Sequence, residues 1–458
     1  MENREKLSSR LGFILISAGC AIGIGNVWKF PYLAGQYGGG IFVLIYLLFL
    51  LFMGVPAMTM EFALGRASQK SPVKLFSTLE KPGQKWHIHG YVCLAANYLL
   101  MMFYSMVSGW MLKYFVDMTG GKFEELSAEG IGNAFNMMLT QPIEMIIYTG
   151  IIVVLGFFIC SRGVVKGLEK ITKIMMVALL AIMIVLAANS MFLDGAKEGL
   201  SFYLKPNLAN IESSGGIFNV IVAAMNQAFF TLSIGIGSMA IFGSYLNKDR
   251  SLLGESITIA LLDTFVAISS GLIIFPACFS YNVAPDSGPG LIFVTLPNIF
   301  NNLPLGRFWG SLFFVFLTFA AFSTILAVFE NIISCFMELT GLSRKKTCLI
   351  NGIMLFILSI PCILGFNVWS GFMPLGEGTN IMDLEDFIVS NVALPIGALV
   401  FILFSVTRYG FGWNNFVEEA NQGKGLKVKK WMRRYMTFVL PAIVLALFII
   451  GIVQKFFI

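Results

Sequence analysis

Eleven stretches of this 458-residue chain are each long and apolar enough to cross a bilayer as a helix, which takes about 20 residues. They run over 11–36, 40–65, 88–116, 142–160, 165–192, 217–245, 253–281, 307–338, 346–368, 385–407 and 436–454. With 57% hydrophobic and only 12% charged residues, the chain is too apolar to hide its surface from water, since soluble domains carry about a quarter charged residues. Backbone inside hydrocarbon must satisfy its own hydrogen bonds, so spans of this kind are helices. The expected fold is therefore all-α and polytopic. No segment between the spans is long enough for a separate soluble domain, so residues 1–458 read as a single membrane domain. Met1–Arg10 is charged but lacks a cleavable signal pattern, and the N-terminus is expected to be retained. The stretch 283–305, with Pro285, Pro289, Pro297 and Pro304, reads as a broken re-entrant or surface hairpin.

Lysine and arginine set the orientation. Of the 31, 24 fall on the segments that share a side with the N-terminus, 6 fall on the other side, and Lys29 lies within the first span. This places the N-terminus in the cytoplasm and the C-terminus outside, in the cell membrane. The net charge of +6 reflects that bias and gives no reason to invoke nucleic acid. The seven cysteines are scattered through apolar runs with no C-x-x-C pair, which suits buried free thiols. His87 and His89 are the only histidines and read as a solvated loop rather than a metal site. Two neighbouring histidines serve neither an intramembrane protease nor a redox complex, so an enzyme is not expected.

The first and sixth spans contain what a lipid-facing helix avoids. Ser17-Ala18-Gly19-Cys20-Ala21-Ile22-Gly23-Ile24-Gly25-Asn26 and Asn226-Gln227-Ala228-Phe229-Phe230-Thr231-Leu232-Ser233-Ile234-Gly235-Ile236-Gly237-Ser238 each place a G-x-G step beside polar side chains. Each glycine costs a helix about 1 kcal/mol relative to alanine. One such motif alone is explained by close helix packing. Two at matching positions point to discontinuous helices in a 5+5 inverted repeat, about 8–192 and about 217–407, with an extra span at about 436–454. Half-helix N-termini then face an anionic group and freed carbonyls bind cations. Intramembrane charges are costly and usually functional, and Lys29, Glu61, Asp263, Glu330 and Asp386 are such charges. Glu61 is placed to tie down backbone N–H groups of the sixth span, and Glu330 is open to a wet cavity. Asp263, near that break, is a natural ligand for a hard cation such as sodium.

Gly25-Asn26-Val27-Trp28-Lys29-Phe30-Pro31-Tyr32-Leu33 and Gly38-Gly39-Gly40-Ile41-Phe42 closely resemble the signature of the neurotransmitter:sodium symporters. Gln227-Ala228-Phe229-Phe230-Thr231-Leu232-Ser233 and Leu342-Ser343-Arg344-Lys345 do the same. Eleven spans instead of twelve resemble a bacterial branch of the family. The resemblance implies a sodium-coupled amino-acid symporter with two sodium sites. One uses the Ala21 carbonyl, Asn26, Thr231, Asp263 and the substrate carboxylate. The other uses carbonyls of Gly19, Ile22 and Ala320 with the hydroxyls of Ser323 and Thr324. The substrate carboxylate is expected at the N–H groups of Ile24 and Gly25 and at Tyr104. Its ammonium is expected at carbonyls of Ala21, Phe230 and Thr231 and at Ser233. Leu100, Tyr104, Phe230, Ile236, Thr324 and Val328 complete the pocket.

That lining is largely apolar. Compared with the bacterial leucine carrier, Ile236 stands for Phe and Val328 for Ile, which opens space, while Leu100 for Val takes some back. A large hydrophobic or aromatic amino acid is implied. Lys29 and Asp386 resemble an outer gate that is looser than the usual Arg pair, because lysine lacks a bidentate fork. Arg4 and Glu338 resemble the inner gate. Tyr46, Gln227 and Thr231 match three of four positions of the family's chloride site. The fourth falls at Ala267, which has no hydroxyl, and Asp263 lies one turn earlier with a fixed charge. Chloride is therefore not expected, and the plainer alternative is a stronger sodium ligand balanced by Glu61. The partners implied are an amino acid and membrane lipid, with no obligate protein partner. A substrate-sensing receptor of the same fold is the alternative function.

Overall fold

The computed structural model describes residues 6–124, 126–281 and 290–456. Nine described helices are long and apolar enough to cross a membrane, and ten if the bent first pair is one span. That pair is α1 (Arg10–Ala21) and α2 (Gly25–Gln36), inclined at 54°. There follow α3 (Gly40–Ser68), α4 (His87–Thr119), α5 (Pro142–Ser161) and α6 (Val164–Ser190). Two short pieces, α7 (Ile217–Thr231) and α8 (Ser238–Ser244), precede α9 (Leu252–Ser280). Then come α10 (Gly306–Thr340), α11 (Arg344–Leu364), α12 (Ile381–Val406), α13 (Trp413–Ala420) and α14 (Met432–Val453). The spans read over 11–36 and 217–245 are the two that are broken, as the paired G-x-G steps predict, the first between α1 and α2 and the second between α7 and α8.

The amphipathic logic of a soluble protein is absent. Burial separates the helices instead: 78% of the apolar window of α10 is inside the bundle against 22% for α14. The helices α10 and α4 pack along one another at the centre, whereas α14 faces outward. In the 283–305 stretch, Leu291–Asn301 is helical, and Leu291, Ile292 and Phe293 are fully buried. It folds back onto the bundle, with the Phe293 ring 6.0 Å from Trp28. Pro285 and Pro289 lie outside the described residues.

Both breaks have local causes and external support. The helix α1 stops because Ile22 turns extended (φ −76°, ψ 101°). The Gly23 N–H then donates to Asn26 Oδ1 at 3.1 Å and the Ile24 N–H to the Tyr104 hydroxyl at 2.8 Å. After Thr231, the backbone enters the left-handed region at Ser233, Gly235 and Gly237 (φ 51°, 102° and 75°). A side chain at Gly235 would run into the Leu394 carbonyl of α12, so glycine is needed there twice over. Glu61 of α3 accepts the Gly235 N–H at 2.5 Å, the part its sequence position suggested. Asn97 of α4 and Asn331 of α10 donate to the Ile236 carbonyl at 2.8 and 3.4 Å. Unwound backbone at this depth is tolerable because neighbouring helices supply its partners.

Glu330 departs from expectation. It is fully buried, accepts from Tyr245 at 2.7 Å and pairs with Arg344, so it does not sit in a wet cavity. Arg66, on the end of α3, is fully buried and pairs with Glu419 of α13 at 2.5 Å. Nothing in the local sequence announced that pair.

Candidate functional site

The two breaks meet at the middle of the bundle, and Asp263 of α9 stands beside them, fully buried. Its Oδ1 accepts from Asn26 Nδ2 at 2.7 Å, and both oxygens accept from the Thr231 hydroxyl at 3.1 Å. The Tyr46 hydroxyl approaches Oδ2 at 3.4 Å. All these donors are neutral, and no ion pair to Asp263 is found among the described residues. A buried carboxylate without a counter-charge is expensive. One negative charge set among neutral oxygens suits a single hard monovalent cation. Among the described residues no three His, Cys, Asp or Glu gather, so a multidentate site for a transition metal is not built there. Tyr46 was expected at a chloride-type site one turn from Asp263, and here its hydroxyl faces the Asp263 carboxylate.

A second group of oxygens lies where α10 passes the end of α1. Ser323 Oγ donates to the carbonyls of Ile22 at 3.2 Å and Ala320 at 2.9 Å. Thr324 Oγ1 lies 3.2 Å from Gly19 O, 3.3 Å from Cys20 O and 3.3 Å from Ile22 O. Every oxygen named for the second cation site is therefore drawn together, with the Cys20 carbonyl added. No formal charge is present, so this cluster could hold a cation only through dipoles.

Between these groups lies a cavity lined by Cys20, Ala21, Gly25, Leu100, Tyr104, Phe230, Ser233, Ile236, Thr324 and Leu394. Its free interior of about 20 Å³ has room for roughly one water. Anything larger must move its walls. Cys20 and Leu394 were not foreseen. Val328 is fully buried without lining this cavity, and Thr231 faces Asp263 instead. Ile24 lines a second cavity with Trp28, Tyr32, Val107 and Met382. Tyr104 and Phe230 line both cavities and stand between them.

Lys29 and Asp386 also line the second cavity. One ammonium reaches both Asp386 oxygens at 3.0 Å and Ser390 Oγ at 3.1 Å, and it sits 4.2 Å over the Phe230 ring. The missing fork of an arginine is offset by these two extra contacts. Reversing either charge alone is expected to lower uptake at least about tenfold, since like charges at this range cost several kcal/mol. Lys29→Asp combined with Asp386→Lys should recover much of it. A double variant as inactive as the singles would argue against direct pairing.

Arg4 lies outside the described residues. Its expected partner Glu338 accepts from the Ser71 N–H at 3.1 Å and the Ser71 hydroxyl at 2.7 Å. Two contacts that sequence reasoning missed also hold the start of α1. Arg10 pairs with Glu255 at 2.9 Å, and Ser8 donates its N–H to Glu169 Oε2 at 3.0 Å. The only advance signal was the serine pair before α1, where Ser9 caps the helix through the Gly12 N–H.

The chain matches the sodium:neurotransmitter symporter family over residues 4–136 and 134–456. It is 36% identical over 397 residues to the sodium-dependent transporter YhdH of Bacillus subtilis, a match that covers 87% of this chain and 86% of that one. The human sodium- and chloride-dependent taurine transporter is 24% identical over 499 residues, covering 98% of this chain and 78% of its own length. The crystal structure of MhsT in complex with L-phenylalanine matches with a TM-score of 0.88 and 36% identity, over 98% of this chain and 99% of that one.

Proposed function

Because the chain belongs to the sodium:neurotransmitter symporter family, we propose that it imports a neutral amino acid with a large hydrophobic or aromatic side chain, using sodium as the driving ion. Members of the family are transporters and not enzymes, and this chain is a multi-pass membrane protein with sodium dependence in its relatives. The observation that carries the reading is Asp263, buried beside both helix breaks with neutral donors alone among the described residues. Sodium is cargo here, and two such ions are proposed. One would sit at Asn26, Thr231, Asp263 and the Ala21 carbonyl, the other among Gly19, Ile22, Ala320, Ser323 and Thr324.

The substrate would lie in the small cavity, its carboxylate at Ile24, Gly25 and Tyr104 and its ammonium near Ala21, Phe230, Thr231 and Ser233. Leu100, Ile236 and Leu394 give the side-chain end an apolar wall, which disfavours charged side chains. The phenylalanine in the MhsT structure supports the aromatic choice. Since the cavity has room for about one water as it stands, entry requires Phe230 and its neighbours to move. Gating by Lys29–Asp386 outside and by Glu338 with Arg4 inside would alternate around this point. The two units 8–192 and 217–407 would rock against one another, with the N-terminus cytoplasmic. A fixed charge at Asp263 makes chloride unnecessary in this scheme.

Liposomes with an inward sodium gradient test the reading. Uptake of labelled tyrosine, tryptophan or phenylalanine is expected, with binding at least about tenfold weaker when potassium replaces sodium. Equal affinity without sodium would refute the coupling, and competition won by alanine or glutamate would refute the substrate class.

A further inference from the structure

The segment entering α14 has a composition that the transport cycle leaves unexplained. Residues 424–434 read Lys-Gly-Leu-Lys-Val-Lys-Lys-Trp-Met-Arg-Arg, six cations with no carboxylate between them. Polybasic runs of this length are often flexible tails, but this one is built. The Lys424 N–H donates to Asp249 O at 2.9 Å, and the Ser251 N–H to Lys424 O at 3.0 Å. Ser251 Oγ donates to Leu426 O at 2.6 Å. The Asn421 side chain bonds both the N–H and the carbonyl of Val428, at 2.7 and 3.0 Å. At its far end the Tyr435 hydroxyl donates to the Phe52 carbonyl of α3 at 2.6 Å.

The backbone is pinned while the charges point away. Lys427 closes the loop onto the Asn421 and Gly423 carbonyls. Lys424, Lys429, Lys430, Arg433 and Arg434 are exposed, and none forms an ion pair among the described residues. Some basic groups elsewhere in the molecule are paired, Arg10, Arg66 and Arg344 among them. Between the cations, Trp431 is 71% and Leu426 58% exposed. Tryptophan beside lysine at the start of a span is an interfacial pairing of apolar ring and headgroup-level charge.

We propose that residues 424–434 form a fixed docking platform for anionic phospholipid headgroups in the leaflet where α14 begins. The choice of partner follows from position and charge. Met432 onward continues into the span, so the cations lie at the depth of lipid phosphates. Uncompensated positive charge favours an acidic lipid over a zwitterionic one. Trp431 and Leu426 supply an apolar contact that a purely acidic soluble partner would leave exposed. The proposal rests on the membrane placement of α14, and the experiment separates the two.

The full chain and its Trp431→Phe variant are reconstituted in mixed phosphatidylcholine and phosphatidylglycerol vesicles. Brominated acyl chains are placed on one lipid or the other at equal mole fraction, and the difference in emission isolates Trp431. Quenching by either lipid reports that α14 lies where expected. Brominated phosphatidylglycerol is expected to quench Trp431 at least about twofold more than brominated phosphatidylcholine, and the preference should fall in high salt. Changing Lys424, Lys429, Lys430 and Arg433 to Gln should abolish the preference, while Lys424→Arg, Lys429→Arg and Lys430→Arg together should keep it. Equal quenching by the two lipids would overturn the proposal and leave the face to an acidic soluble partner. So would a preference that survives the neutral variant, or an absence of quenching by both lipids.

Discussion

Replacing Asp263 by alanine is expected to abolish sodium-driven uptake, with sodium affinity falling by at least about thirtyfold. The carboxylate is fully buried and, among the described residues, accepts from the neutral groups of Asn26, Thr231 and Tyr46, so a cation joining them would balance its charge. Truncating one partner of a buried charge pair costs about 2–5 kcal/mol, which is roughly 30- to several-thousand-fold. Asp263→Asn keeps an oxygen at this position and removes the charge, so a smaller loss is expected. Ala267 lies one turn further along α9 and is also fully buried. If the fixed charge at Asp263 does what a bound chloride could do, Asp263→Asn with Ala267→Ser should become chloride-stimulated. The native chain should take up substrate fully in gluconate medium at fixed sodium. Binding assays with radioactive sodium and uptake in the two media decide the matter. Native uptake that fails without chloride, or an alanine variant with native sodium affinity, would remove Asp263 from its assigned role.

Much of this site was legible before folding, and the reason is chemical economy. A membrane interior tolerates few polar groups, so each one in an apolar run carries information. The paired G-x-G steps located both breaks, Asp263 and Glu61 stood out as charges, and Ser323-Thr324 supplied hydroxyls in the otherwise apolar stretch 319–329 of α10. What stayed hidden were the partners. Hydropathy reports that a segment avoids water without saying which neighbour covers it. Arg66 and Glu419 are 353 positions apart, and Tyr46 and Asp263 are 217 apart. Leu394 joins the cavity only because Gly235 lets α12 approach the unwound backbone.

The second large effect is expected at Arg344, where removal of the side chain leaves a buried carboxylate behind. Glu330 is fully buried on α10 and accepts from Tyr245 at 2.7 Å and Ser334 at 3.1 Å. Among the described residues Arg344 contributes the one cation paired with Glu330, bonding it through both terminal nitrogens. Its Nε donates to the Cys160 carbonyl at 2.7 Å, which ties α5 to the start of α11. Two hydroxyls cannot replace a guanidinium fork, so Arg344→Ala should lower the unfolding free energy by about 3–5 kcal/mol. Arg344→Lys keeps the charge without the fork and should fall between the two. The double variant Arg344→Met with Glu330→Met removes both charges and should regain much of the loss, because an apolar pair of similar size often replaces a buried ion pair without penalty. Thermal unfolding of the three variants in detergent, followed by tryptophan emission, measures the coupling. A double variant no more stable than Arg344→Ala would show that the cost lies in lost packing at Arg344, and not in the charge stranded on Glu330.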